Sequence, residues 1–528
     1  MGPRVPHARE EAHETSLTGP VALSPADLSA IQAEQGPVHM HVAGVLVFGG
    51  RVAPATIARR IEERIHLVPH YRMRLAPSAP LGLSQPVWEE DPDFSAARHV
   101  RAVRWPAPGD DAALAAVVGP AMSERLDRER PLWELLVVDS AETGRTAVVA
   151  KMHHALVDGI AAIGVATVIL DPTPEPLDLP PPAGDVEERR RTWVAELAAL
   201  MPQLDLQRRL GAMEPLLPRV PADVAPGPRE LRALAAAVGV PGRRELRRLA
   251  TAQLDVPRRL AGGGGRGLVV AAGGVSPRRA QRRLTDALDT LRELSRARPQ
   301  APDTRINAAI GPERAFAVAR ADLEVVKAIR RAAGASVNDV LLAAVALMLE
   351  EYLGDDPPET AIALVPVSTR DTTGDSELGN RISTVFIDLP LRGEPLDRVR
   401  AIAASTRELR GSAQVRAGAF VVGAAGLAPP IVASLTARAL GAPRLFNLVV
   451  SNVPGPQQTF YLDGVPLREV FPAVPLNPRN QALSIGMLSY DGGVGFGLLA
   501  DRDALPDVAD AAAGLERALA GLAAAAGA

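Results

Sequence analysis

Short apolar runs and helical spacings alternate along two long stretches of the chain. His41–Phe48 (HVAGVLVF) is a nearly continuous apolar run of strand length and predicts a buried strand. Between Ala55 and Val68 the apolar residues Ile57, Ile61, Ile65 and Val68 recur on one helix face. Leu135–Asp139 and Thr146–Met152 read as two more strands, joined by a turn at Glu142-Thr143-Gly144. An apolar segment at Ile160–Leu170 then predicts a helix. The second stretch opens near Glu313 with a strand at Arg314–Ala319 and a helix at Asp322–Ala333, which Gly334 stops by entering the left-handed region. A longer helix follows at Val337–Tyr352, then strands at Thr360–Val367 and Ile382–Leu389. Leu483–Tyr490 and Val494–Ala500 flank Asp491-Gly492-Gly493, a hairpin turn. Strands mixed with helices in this way predict an α/β fold.

The pattern breaks in three places. Met1–Pro20 is polar, carries Glu10, Glu11 and Glu14, and lacks the apolar core of a signal peptide, so it reads as a disordered lead-in. Asp171–Gly184 (DPTPEPLDLPPPAG) is too rich in proline for a helix or a central strand. Glu187–Pro299 is helical in pattern, with 22 Arg against 12 acids, which is ordinarily a solvated helical face. The expected organisation is therefore a lead-in at 1–20, one domain at 21–170, a linker and helical segment at 171–300, and a second domain at 301–528. Two related α/β units would fit, although no repeat is legible. The most apolar run, Ala417–Leu435, is interrupted by Gly418, Gly423, Gly426 and Pro429-Pro430, so no spanning helix is expected.

Composition narrows the chemistry. The chain has 528 residues and no cysteine, which excludes disulfides, thiolate nucleophiles and Cys-ligated zinc. A formal net charge of −3 and 3% aromatics give no reason to expect a nucleic acid partner. Nearly all the basic residues are arginine; lysine occurs only at 151 and 327.

The sharpest chemical signal is His153-His154-Ala155-Leu156-Val157-Asp158-Gly159, placed between a predicted strand and a predicted helix. Such a turn presents an imidazole rigidly, and histidine suits proton abstraction near neutral pH. Alone, the histidines could be core residues or metal ligands. Adjacent strand-end side chains point opposite ways, however, and no metalloprotease spacing surrounds them, so no metal site is expected. Gly159 permits close backbone approach, and Asp158 can fix the turn. Of the later residues, Ser336 and Asp339 have capping-box spacing, with Asn338 between them. Ser451-Asn452 precedes Pro454-Gly455 in ordinary loop chemistry.

HHALVDG resembles the HHxxxDG motif of the coenzyme A-dependent acyltransferase superfamily. Other blocks narrow the likeness to the bacterial wax ester synthase/acyl-CoA:diacylglycerol acyltransferase family. They are Leu23-Ser24-Pro25 with Met40-His41-Val42, Asp127–Trp133 (DRERPLW), Ser336–Leu341 (SVNDVL), Val365–Arg370 (VPVSTR), Gly379-Asn380 and Ser451–Pro456 (SNVPGP). The resemblance runs from about Leu23 to Asp501 and is weakest in the Arg-rich middle.

The resemblance implies two chloramphenicol-acetyltransferase-like domains with mixed sheets, and an active histidine in a tunnel between them. It implies an O-acyltransferase that moves a fatty acyl group from acyl-CoA, a substrate rather than a cofactor, to a long-chain alcohol or diacylglycerol. His154 would be the general base, His153 and Asp158 supports of the turn, and Ser451 or a nearby amide an oxyanion donor. Pro131, Leu132, Trp133, Asn338, Asp339, Asn452 and Gly159 would line the substrate site, with Trp133 as an acyl-chain wall. A cytoplasmic location is expected, with peripheral contact at the inner membrane or lipid droplets left open. Two alternatives stand beside it: a condensation-type acyltransferase on another hydroxyl acceptor, and a non-catalytic lipid-binding protein.

Overall fold

The computed structural model describes residues 20–76, 86–156, 169–176, 300–368, 382–409, 446–476 and 480–528. The lead-in, the predicted helix at Ile160–Leu170 up to residue 168, the Arg-rich segment, Ala417–Leu435, Gly379-Asn380, Asp158 and Gly159 lie outside them. The helices are α1 (Pro25–Ala33), α2 (Pro54–Arg64), α3 (Asp111–Ser123), α4 (Leu323–Ala333), α5 (Val337–Tyr352), α6 (Pro395–Leu409) and α7 (Val508–Ala526). The strands are β1 (Val21–Ala22), β2 (His41–Phe48), β3 (Met73–Leu75), β4 (Val87–Glu90), β5 (Val100–Arg104), β6 (Trp133–Asp139), β7 (Thr146–His153), β8 (Arg314–Asp322), β9 (Thr360–Ser368), β10 (Ile382–Pro390), β11 (Leu448–Pro454), β12 (Tyr461–Leu462), β13 (Val465–Ala473), β14 (Leu483–Tyr490) and β15 (Gly493–Asp501).

These strands form two six-stranded mixed sheets and a small three-stranded one, β1-β4-β3. The first large sheet runs β12-β13-β2-β7-β6-β5, and the second β10-β9-β11-β14-β15-β8. Two strands of the C-terminal half, β12 and β13, therefore complete the N-terminal sheet. β13 pairs antiparallel with β2, from Leu467 opposite Phe48 to Ala473 opposite Ala43. Both sheets are mixed: β5 runs parallel to β6, and β11 parallel to β14 and β9.

Local chemistry explains many of the element ends. The hairpin β14–β15 turns through Asp491 and Gly492 at φ 44° and 83°, the two left-handed residues of a primed turn. Asp322 caps α4 through the amides of Glu324 and Val325, and Gly334 ends it at φ 65°. Ser336 and Asp339 exchange both bonds of a capping box at the start of α5. α5 is buried along nearly its whole length and forms the centre of the C-terminal helical layer. Among the described residues no single helix is long and apolar enough to cross a membrane; α4 and α5 pass that test only together, across a 96° bend.

Glycines make the crossing of the two sheets possible. A Cβ at Gly497 would lie 1.9 Å from the Pro472 carbonyl oxygen, one at Gly495 2.1 Å from that of Val470, and one at Gly486 2.9 Å from Pro472 O. β13 therefore rests its backbone directly on β14 and β15, and no side chain fits between them. A second close approach ties α3 to β8, where a Cβ on Gly119 would sit 2.7 Å from Arg314 O. Arg314 is itself buried, donates to Gly311 O at 2.7 Å and to Pro37 O, and faces Asp501 at 3.6 Å, so it binds the chain ahead of β2 to the C-terminal half.

Gly497→Ala should cost at least about 1–3 kcal/mol in urea unfolding, because the clash is with backbone that cannot yield. The control is Gly521→Ala in α7, where nothing lies within 4 Å, and it should stabilise by roughly 0.5–1 kcal/mol. Equal small effects at the two positions would contradict the close-crossing account.

Candidate active site

Strand β7 carries the histidine pair to the edge of its ladder. His153 is the last paired residue, opposite His41 of β2. Backbone bonds then fix the pair on both sides: His153 N–H donates to Leu132 O at 2.9 Å, and His154 N–H to Met40 O at 2.7 Å. A turn follows, closed by Leu156 N–H on His153 O at 2.9 Å. The two residues differ in exposure. His153 is 1% exposed, and its Nδ1 accepts the Ala155 N–H at 3.0 Å, so the neutral ring carries its proton on Nε2. His154 is only partly buried.

Behind the pair lies a buried polar cluster. Glu34, just past the end of α1, places Oε1 3.2 Å from His41 Nε2 and 3.8 Å from His153 Nε2, and it accepts the Met40 N–H at 3.4 Å. Its Oε2 accepts from Arg128 at 2.6 Å. Burial alone would raise the Glu34 pKa. Hydrogen bonds from His41 and Arg128, with the nearby His153, outweigh this and hold the carboxyl far below the usual range. Burial pushes His153 down to about 3, against the pull of Glu34. It pushes His39 down to about 4, helped by His41, Arg314 and Arg125, and it lowers His41 as well. These imidazoles are therefore neutral at pH 7.

Lys151, two residues before His153, is fully buried. Its ammonium donates to Ala121 O at 2.8 Å, Glu124 O at 2.6 Å and Glu134 Oε1 at 2.9 Å. It thus satisfies carbonyls at the C-terminus of α3, where a cation is favoured. Burial lowers its pKa, and Glu134 opposes that shift.

The other expected site residues fall into two groups. Pro131, Leu132 and Trp133 lead into β6 beside the pair, and all three are buried. The Trp133 ring stacks on His99 at 4.3 Å, with Phe94 at 6.3 Å, and its indole N–H donates to Tyr71 O at 2.8 Å. Its described contacts are those of a packed core residue.

Asn338, Asp339, Ser451 and Asn452 belong to the C-terminal half. Asn452 Nδ2 donates to Asn338 Oδ1 at 3.2 Å, joining β11 to the start of α5. Asp339 gives one oxygen to the Ser336 amide and the other to the Thr406 hydroxyl, so both are committed to packing α5. Strand register links the halves: His153 lies opposite His41, Ala43 opposite Ala473, and Gly486, which abuts Pro472, beside Ser451. Ser451 thus pairs with a residue of the strand that β13 crosses, and β13 in turn borders β2.

Sequence reasoning missed Glu34, His39 and Arg128 as a group. The spacing of His39 and His41, which puts two imidazoles on one face of an extended chain, was the available signal. It also missed Asp171, which reads as the first residue of a linker. That carboxylate is fully buried and accepts from Arg60 and Arg64 at 2.7 Å each. Its backbone exchanges two 2.8 Å bonds with Tyr461, next to the crossing strand.

The sequence model of the wax ester synthase/diacylglycerol acyltransferase catalytic domain matches residues 23–262 and 241–341, and that of the WS/DGAT C-terminal domain matches 378–523. The chain belongs to this family. A Mycobacterium tuberculosis protein named "Putative diacyglycerol O-acyltransferase" is 29% identical over 512 residues, covering 94% of this chain and 98% of its own. The wax ester synthase/diacylglycerol acyltransferase from Marinobacter aquaeolei VT8 shares the fold at a TM-score of 0.60 and 24% identity, over 96% of this chain and 100% of that one. The starter condensation domain of rhizomide synthetase, solved with C8-CoA and Leu-SNAC, aligns at 0.51 and 16% over 96% and 95%, a likeness of fold alone. The two sheet-bearing halves are thus those expected of a wax ester synthase/diacylglycerol acyltransferase, and the chain is an acyl-CoA-dependent O-acyltransferase.

The buried imidazoles give this acyltransferase an acid-sensitive fold. His39 and His153 titrate near 4 and 3 when folded and near 6.5 when unfolded, so below about pH 6.5 the unfolded chain binds more protons. Their stabilisation is complete above that pH and is lost as pH falls toward 4. Melting temperature should therefore drop from pH 7 to 4.5, and His39→Phe should flatten the slope. An unchanged slope in that variant would contradict the burial account of His39.

Proposed function

We propose that His154 is the general base of a direct acyl transfer from acyl-CoA to a lipid hydroxyl. The observation that carries this reading is the division of labour in the pair. His153 is buried with Nδ1 bonded to the turn, whereas His154 is a partly buried residue on a backbone pinned to Met40. In this mechanism His154 takes the hydroxyl proton while the alcohol oxygen attacks the thioester carbonyl. The tetrahedral oxyanion collapses, the carbon–sulfur bond breaks, and the departing coenzyme A thiolate recovers the proton from His154. No enzyme nucleophile is needed, in keeping with a chain that has no cysteine. The reaction uses acyl-CoA as substrate and no further cofactor.

Ser451 and Asn452, the latter bonded to Asn338, are the side chains of the other half suited to donate to the oxyanion. For Asp158 and Gly159, the last two residues of the HHALVDG motif, the reading rests on the motif alone: a carboxylate to support the turn and a glycine to admit substrate. The acceptor is a long-chain alcohol or diacylglycerol, met by the enzyme in the cytoplasm at the surface of the inner membrane or a lipid droplet.

His154→Ala should lower turnover on the order of 10²–10⁴-fold with the fold intact. The assay offers palmitoyl-CoA with hexadecanol and with diolein separately, and follows thiol release and lipid product together. Near-normal thiol release with either acceptor would remove His154 from the mechanism, and failure with both acceptors in the unmodified protein would remove this acceptor class.

A further inference from the structure

Met40 is held from both ends. Its N–H donates to Glu34 Oε1 at 3.4 Å, and its C=O accepts the His154 N–H at 2.7 Å. A buried carboxylate therefore sits one residue's width from the backbone of His154. The same oxygen faces His41 Nε2 at 3.2 Å and His153 Nε2 at 3.8 Å, so Glu34 lies where β2, β7 and the end of α1 converge. Its other oxygen is bonded to Arg128, whose side chain is 47% exposed and belongs to the DRERPLW loop.

We propose that Glu34 is a positioning residue whose charge, balanced by Arg128, sets the proton affinity of the histidine pair. This rests on His154 as the base. A fixed negative charge behind the pair favours the imidazolium that forms when the base takes a proton, and a cation beside that charge weakens the effect. His153 is faced by Glu34, His41, Arg128 and His154. His41 is faced by Glu34, Lys151 and Glu134, and His39 by His41, Arg314, Arg125 and Glu34. Glu134 is bonded to Lys151, which leaves Glu34 as the anion in contact with the pair's own strand end.

The charges make opposite demands, which separates this role from mere packing. Glu34→Gln keeps the shape and removes the negative charge, so the acid limb of the kcat/KM profile should move down by roughly half to one pH unit. Arg128→Met, at a partly exposed side chain, leaves Glu34 uncompensated and should move the limb up. Histidine Cε1 NMR titration of the same proteins, with the His154 resonance assigned by His154→Gln, should show matching shifts in its midpoint. If that midpoint and the limb stay fixed in both variants, or move the same way, Glu34 has no such role. If Glu34→Gln fails to fold, Arg128→Met alone decides: no upward shift overturns the proposal. A wild-type acid limb that does not coincide with the His154 midpoint would instead overturn His154 as the base.

Discussion

Strand β7 lies between β2 and β6, and its last ladder position is taken by His153 opposite His41. At that point the chain leaves the sheet under restraint from both neighbours, Leu132 on the β6 side and Met40 on the β2 side. Had β2 slipped by one residue, every side chain on it would change face, and Glu34 would no longer meet His41. The register of β2 is in turn held from its other edge by β13, a strand supplied by the C-terminal half. The position of the histidine pair thus depends on contacts separated by several hundred residues in the chain.

That dependence explains why the two halves are joined so tightly. β13 can reach β2 only by crossing β14 and β15, and Gly486, Gly495 and Gly497 leave room for its carbonyls there. Arg314 fastens the segment before His39 to β8, and Asp171 fastens the chain after the histidine turn to α2 and to Tyr461. Each joint is a buried group with its polar demands largely met inside the protein, where a lost partner is costly. These joints hold the strand that carries the histidine pair in register with the C-terminal half.

Much of this frame was legible in the sequence. The strands at His41–Phe48 and Leu483–Tyr490 and the helix at Val337–Tyr352 have the bounds expected, because long apolar runs, a capping box and a Gly turn each act locally. β13 was not legible. Pro466, Arg468, Glu469 and Pro472 spoil its strand pattern, and its ladder partner lies over 400 residues away. α3 escaped notice because its alanines mark no face, and Asp171 because the prolines after it disguise a buried position. The histidine pair itself was read from a motif, whereas Glu34 could not be. A single glutamate past a short helix becomes informative only when folding brings three imidazoles beside it.

The central claim is that the acyl group passes from thioester to alcohol without ever resting on the protein. Rapid mixing of the full chain with palmitoyl-CoA and no acceptor, followed by thiol detection and intact mass measurement, tests this most directly. The account predicts no thiol burst stoichiometric with enzyme and an unchanged protein mass. A burst of one thiol per chain with a palmitoyl adduct on the protein would contradict it.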